Sequence, residues 1–231
     1  MLFLLTGELQ TGKTRWLEAL VDRLADEGVG SYGVVAPGVW VPSDSSEASG
    51  QRLEKLAIDN VLLPERDVVP FARRRDLAMR DGELREGRQA EKLGLGWCIF
   101  DEATSKVNDH FEKIGRSRAS LAGDAADCAA ASGTSAADET NGGAGASPGR
   151  PSLLVVDELG PLELMHGGGL TSAARLLDEG PSEAFPHAIA VVRKSLLPLA
   201  QERFAKTWPE LLAVEPTEHS ERELLSAFGL S

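Results

Sequence analysis

Leu2-Phe3-Leu4-Leu5-Thr6-Gly7-Glu8-Leu9-Gln10-Thr11-Gly12-Lys13-Thr14-Arg15 opens this chain with four apolar residues running into the string G-x-x-x-x-G-K-T. A short apolar run closed by glycine reads as a buried strand. From Lys13 onward, Trp16, Leu17, Leu20, Val21 and Leu24 recur at helical spacing until Gly28, where a left-handed cap would stop the helix. Strand, glycine turn and helix in that order bring unpaired backbone N–H groups and the positive end of a helix to one point, which suits a phosphate chain. Gly7 and Gly12 permit backbone geometry that a Cβ would obstruct, Lys13 is expected to reach the β- and γ-phosphates, and the Thr14 hydroxyl to ligate Mg²⁺. The expected binding segment for a nucleoside triphosphate is therefore Gly7, Glu8, Leu9, Gln10, Thr11, Gly12, Lys13, Thr14 and Arg15.

The whole chain bounds that reading. Its 231 residues, 42% of them hydrophobic, suit one α/β domain spanning 1–231. A formal net charge of −12 argues against a nucleic-acid groove or an anionic membrane surface, both of which need concentrated positive charge. The first apolar stretch is short, lacks a basic flank and leads straight into the glycine turn, so it reads as a strand and not a signal peptide. No run is long enough to span a bilayer, and a cytoplasmic location is expected. Cys98 and Cys128 indicate neither a disulfide framework nor a metal cluster, and Cys98 reads as a small buried hydrophobe.

Apolar runs alternate with helical patterns along most of the sequence. Strands are expected at 2–6, 31–36, 152–156, 187–192 and 211–214, and helices at 13–27, 171–178, 195–206 and 221–228, the last with Ser220 and Glu223 spaced as a capping box. This alternation predicts a mostly parallel sheet covered on both faces, with ligands at the carboxyl ends of the strands. Within 37–93, Val39-Trp40-Val41, Ile58 to Leu63 and Val68 to Phe71 predict a small antiparallel excursion, and Asp76 to Leu93 an exposed helix or loop. Residues 121–151 are rich in Ala, Gly, Ser, Thr and Asp and read as a mobile insertion, with a short Ala-rich helix as the alternative.

Leu153-Leu154-Val155-Val156-Asp157-Glu158 supplies a second acidic element, an apolar strand ending in two carboxylates. It has the form of a Walker B strand. Asp157 would hold Mg²⁺, and Glu158 would orient or activate the attacking water. The longer string Val156-Asp157-Glu158-Leu159-Gly160-Pro161-Leu162-Glu163-Leu164 resembles the D-E-[IL]-G-x-[ML]-E-L signature of the cancer-related nucleoside-triphosphatase family, small P-loop proteins with a RecA-like α/β fold. The resemblance implies slow Mg²⁺-dependent hydrolysis of ATP, GTP and other nucleoside triphosphates to diphosphate and phosphate. It also implies Lys13 and Thr14 as phosphate and Mg²⁺ contacts, Asp157 as the metal-side acid and Glu158 as the base. It is firm at 1–28 and 152–166 and weak at 37–93. Gln10 stands where many members carry glycine, and the insertion has no counterpart.

Other residues leave alternatives open. Glu163 either hydrogen-bonds behind the metal acid or caps the following turn. Arg193, after His187-Ala188-Ile189-Ala190-Val191-Val192, is a candidate catalytic donor to the γ-phosphate or a solvated loop charge. Arg73-Arg74-Arg75 with Arg80, Arg85 and Arg88 form a phosphate- or partner-facing patch or a solvated face. Trp40, Trp97 and Trp208 either stack on a base or belong to the core. His166, His187 and His219 have no metal-ligand spacing. Besides hydrolysis, the chain is compatible with a small-molecule kinase whose acceptor binds at 37–93, and with a nucleotide-dependent switch that passes its state to a protein partner.

Overall fold

Alternating side chains of the first strand decide where the helices lie. In the computed structural model, which describes residues 1–8, 10–42, 53–80, 96–128 and 151–230, β1 is Leu2–Leu5 and all four of its residues are buried. Leu2 and Leu4 join one apolar cluster, and Phe3 and Leu5 join another on the opposite face. A strand buried on both sides has no polar positions, which is why this run reads as continuous hydrophobe.

Nine strands make one sheet: β2 is Ser31–Val35, β3 Gly38–Pro42, β4 Leu53–Leu63, β5 Asp67–Arg74, β6 Trp97–Ile99, β7 Leu153–Leu159, β8 His187–Val192 and β9 Leu211–Val214. Their order is β6-β5-β4-β2-β7-β8-β1-β9, with β3 paired to β4. Helix α1 (Lys13–Asp26) and α6 (Glu218–Ala227) cover one face through Leu17, Leu20, Leu24, Leu224 and Leu225. Helices α3 (Asp101–Cys128), α4 (Thr171–Asp178) and α5 (Leu197–Phe204) cover the other through Val107, Phe111, Ile114, Leu176, Leu177 and Phe204. A short α2 spans Arg75–Arg80.

The expectation of a mostly parallel sheet is corrected here. Parallel pairing is confined to β2-β7-β8-β1-β9, and the pairs β2–β4, β3–β4, β4–β5 and β5–β6 are antiparallel. The excursion at 37–93 is thus a substantial extension of the same sheet, joined through β4 to β2. Of the segment 76–93, the first turn is helical as part of α2, and 81–93 lie outside the described residues.

Three helical boundaries also differ. The 195–206 pattern divides into a tight turn at Lys194–Leu196 and α5, with Pro198 in the first turn of the latter. The last helix starts at Glu218, because Thr217, in extended conformation, accepts a hydrogen bond from Ser220 N at 3.2 Å; the expected Ser220/Glu223 box is not the cap. Helix α3 has no counterpart in the sequence expectations, and it continues through Cys128, so its backbone enters the segment read as an insertion. Residues 129–150 lie outside the described residues.

Two irregularities in the sheet position the site. Trp40 pairs with Lys55 while Val39 pairs with Ala57, so β4 carries an extra residue there; the bulge reverses side-chain parity along the strand. In β7, Val156 pairs with Ala190 and Leu159 with Val192, so the extra residue falls on Asp157-Glu158. At the join of the two sheet halves, Gly33 has φ +128° and a Cβ there would stand 1.9 Å from the Val155 carbonyl oxygen. Gly33→Ala is expected to cost about 3 kcal/mol or more in urea unfolding. Gly96→Ala, with no heavy atom within 4 Å of the added Cβ, should change stability by less than about 0.5 kcal/mol.

Candidate active site

The turn after β1 leaves regular structure with Gly7 at φ +151°, Gln10 at +62° and Gly12 at +84°. Gln10 stands in left-handed backbone that glycine adopts without strain, which gives a physical meaning to the glycine found in the resembling pattern. Gly12 then precedes α1, whose first residue is Lys13. The Lys13 ammonium donates to the carbonyls of Gly7 at 3.1 Å and Glu8 at 2.7 Å, so it folds back over the turn. Leu9 lies outside the described residues.

The strand end opposite is built around a buried carboxylate. Asp157 is 4% exposed, its Oδ2 accepts from Ala36 N at 2.8 Å, and the Thr14 hydroxyl, in the first turn of α1, is near enough to favour its charged form. Burial pushes its pKa up to about 6, the Ala36 hydrogen bond opposes the rise, and the neighbouring Glu158 adds to it. Glu158 has φ +78°, the left-handed region that a non-glycine residue occupies at a cost of about 1–3 kcal/mol. The bulge makes this turn possible. It keeps Val156 and Leu159 in the same core cluster while Asp157 is buried and Glu158 stands at the cavity mouth.

Arg193 binds Glu158 through Nε at 2.9 Å and Nη2 at 2.5 Å, both on Oε1. Lys194 bridges Glu8 at 3.1 Å and Glu215 at 3.4 Å. Behind the acids, buried Glu163 accepts from Gly160 N at 2.8 Å and Leu170 N at 2.9 Å, so it clamps both ends of the loop that follows β7. Burial raises its pKa, and those N–H groups pull it back. A Cβ on Gly169 would stand 1.8 Å from Glu163 Oε1.

A cavity of about 1050 Å³ joins these groups. Gly7, Glu8, Gln10, Thr11, Gly12, Lys13, Thr14, Arg15, Asp157, Glu158 and Arg193 all line it, so every expected site residue in the described part of the chain meets there. The cavity continues over the antiparallel extension, where Trp40, Lys55, Asn60, Phe71 and Trp97 line it. Lys55 and Asn60 carry no local signal apart from an asparagine within the apolar run 58–63; they share one face because of the β4 bulge. Burial pushes the Lys55 ammonium below its ordinary range, with Glu158 and Asp157 pulling it back up.

The remaining candidates separate clearly. Trp208 is a core residue, 2% exposed, with Nε1 donating to the Leu177 carbonyl at 2.7 Å. Arg74 pairs with Glu54 and Asp76, and none of Arg73, Arg74, Arg75 and Arg80 lines the cavity; Arg85 and Arg88 lie outside the described residues. Cys98 is buried. Among the described residues no three His, Cys, Asp or Glu side chains cluster as a metal site, and no helix is long and apolar enough to cross a membrane. Thr14 and Asp157 offer only two oxygen ligands from side chains. A site of that kind suits a cation that keeps most of its water or takes phosphate oxygens, as Mg²⁺ does.

No protein-family model matches the chain, and neither a curated protein nor a solved structure was found to match it.

The buried Asp157 makes a pH test available. A folded-state pKa of about 6 against 3.8 means that the native state holds the proton more tightly, so its stability falls as pH rises from 3.8 to about 6 and is level above that. Asp157→Asn keeps an acceptor for Ala36 N–H and carries no charge. In metal-free buffer it should exceed the native chain in stability by up to about 3 kcal/mol at pH 8, with the gap closing toward pH 4.

Proposed function

We propose that this chain is a Mg²⁺-dependent nucleoside-triphosphatase of the kind its Walker B string resembles, hydrolysing nucleoside triphosphates to diphosphate and phosphate. One observation supports this above the others: Thr14 of the glycine turn and Asp157 of the acidic strand line one cavity, near enough for the hydroxyl to favour the ionised carboxylate. Neither residue alone distinguishes a phosphate site from an ordinary turn or strand end. Together they supply a hydroxyl and a carboxylate to one cation and leave Glu158 beside it.

In this reading the phosphate chain lies along the backbone N–H groups of the turn and the N-terminus of α1. Lys13 exchanges the carbonyls of Gly7 and Glu8 for β- and γ-phosphate oxygens, a short movement of a flexible ammonium already over the loop. Thr14 and Asp157 would hold Mg²⁺, which when bound neutralises charge on the β- and γ-phosphates. Glu158 accepts a hydrogen bond from the attacking water. Arg193 fixes it through one carboxylate oxygen only, leaving Oε2 for water and Nη1 for a phosphate oxygen. Most of the acceleration then comes from positioning and fixed charge.

Phosphate release from ATP, GTP, CTP and UTP, with and without Mg²⁺, tests the proposal. Release should require Mg²⁺ and occur with several nucleotides. Glu158→Gln should lower kcat by about 10²- to 10³-fold with nucleotide binding retained, whereas Lys13→Ala should lose both. Undiminished release from the Lys13→Ala, Glu158→Gln double variant would overturn it.

A further inference from the structure

Hydrolysis accounts for only part of the cavity. At about 1050 Å³ it reaches the upper end of the roughly 300–1,000 Å³ usual for small-ligand sites, and one side of it consists of residues that neither a triphosphate nor a water requires. That side belongs to β3–β6 and lies across β2 from the Asp157-Glu158 strand end. We propose that it is a phosphoryl-acceptor site for a nucleoside monophosphate, and that the chain transfers the γ-phosphoryl group to the acceptor's phosphate. The proposal rests on the triphosphate occupying the Gly7–Thr14 turn.

Three features specify the occupant. Trp40 and Trp97 line this side together with Phe71 and Ile99, giving flat apolar surfaces suited to a planar ring. Asn60 lines the same wall, is 2% exposed, and its Nδ2 has no hydrogen-bond partner among the described residues. A buried amide without a partner is costly, and turning the Asn60 side chain toward the cavity it lines would let the heteroatom edge of a nucleobase satisfy it. Lys55 sets the anion. Its ammonium lies 5.5 Å from the centre of the Trp97 ring, and Lys55 lines the same cavity as Glu158, Asp157 and Arg193, whose charges act on it. Bringing a second phosphate toward a triphosphate requires positive charge on the acceptor side, and Lys55 supplies it there, with Arg193 bound to Glu158 in the same cavity.

This arrangement depends on the bulge in β4. In a regular strand, Lys55 and Asn60 would point to opposite faces. The extra residue opposite Val39 and Trp40 changes the parity, so that Leu53 and Lys55 before it and Ile58 and Asn60 after it all line the cavity. Gly38 completes the wall, since a Cβ there would stand 2.5 Å from Lys55 Cε and 2.7 Å from Trp40 Nε1.

The transfer balances without a further reagent. A phosphate oxygen of the monophosphate dianion bonds to the γ-phosphorus, the bond from that phosphorus to the β–γ bridging oxygen breaks, and two nucleoside diphosphates result. Total charge is conserved and no proton need move, so Glu158 is not required as a base in this step.

The experiment incubates the full chain with Mg²⁺ and ATP plus AMP, GMP, CMP or UMP and separates the nucleotides by anion exchange. Binding of a fluorescent N-methylanthraniloyl ATP is titrated in parallel on the native and Lys13→Ala chains. At least one monophosphate should become its diphosphate, with ADP formed in equal amount. Lys55→Ala and Trp97→Ala should each raise KM for that monophosphate about tenfold, and raise it several times more than KM for ATP, with Lys55→Arg recovering most of the loss. If the fluorescent nucleotide binds in a Lys13-dependent way and no monophosphate is phosphorylated, the acceptor site is overturned and the triphosphate reading stands. If monophosphates displace the fluorescent nucleotide and Trp97→Ala weakens it directly, the aromatic wall holds the triphosphate's own base, which also overturns the proposal. Failure of the native chain to bind the fluorescent nucleotide overturns both readings.

Discussion

A single buried carboxylate organises this site. Asp157 lies near the carboxyl end of β7, 4% exposed, and groups from two other elements stabilise its charge: the backbone N–H of Ala36 after β2, which donates to it, and the nearby hydroxyl of Thr14 on α1. Ionisation there carries a desolvation cost that the Ala36 hydrogen bond and the nearby Thr14 hydroxyl only partly offset, which is why burial dominates its pKa. Such a group destabilises the metal-free fold at neutral pH.

The same region shows how irregular backbone places functional side chains. A regular β7 would alternate Val156, Asp157, Glu158 and Leu159 between faces, and Val156 and Leu159 could not share a core cluster. The bulge resolves that conflict by turning Glu158 into left-handed backbone, and Glu163 holds the following loop by its two ends. Parity is broken a second time in β4, which brings Lys55 and Asn60 to one wall. In both strands one extra residue converts a sheet that would otherwise only bury hydrophobes into one that presents charge at a mouth.

Electrostatics gives the two halves of the cavity different characters. Near the turn, Lys13 and Lys194 are engaged with carbonyls and carboxylates that a phosphate would displace or rearrange. Over the extension, the Lys55 ammonium lies 5.5 Å from the centre of the Trp97 ring. Two ion pairs, Glu158–Arg193 and Glu8–Lys194, line the cavity that joins the two halves.

Much of the central sheet was legible from the chain itself, because its signals are local. The run Leu2 to Leu5 is apolar on both faces, G-x-x-x-x-G-K-T dictates a turn, and 187–192 and 211–214 match their strands without adjustment. The site residues near the turn and at 157–158 were legible for the same reason. Helix α3 was missed although its signal is local: Ala103, Val107, Phe111 and Ile114 recur at helical spacing and are buried, with Lys106, Asp109, Glu112 and Lys113 on the intervening positions. The split between parallel and antiparallel pairing and the bulges depend on which segments meet, whereas the Thr217 cap is local and lay within reach of the sequence. Sequence by itself determined the turn, its helix, the acidic strand end and the residue types available for chemistry. Only the tertiary structure decided that Lys55, Asn60, Trp40 and Trp97 share a cavity with them, because strand register is set by packing between distant segments and a single inserted residue exchanges the faces.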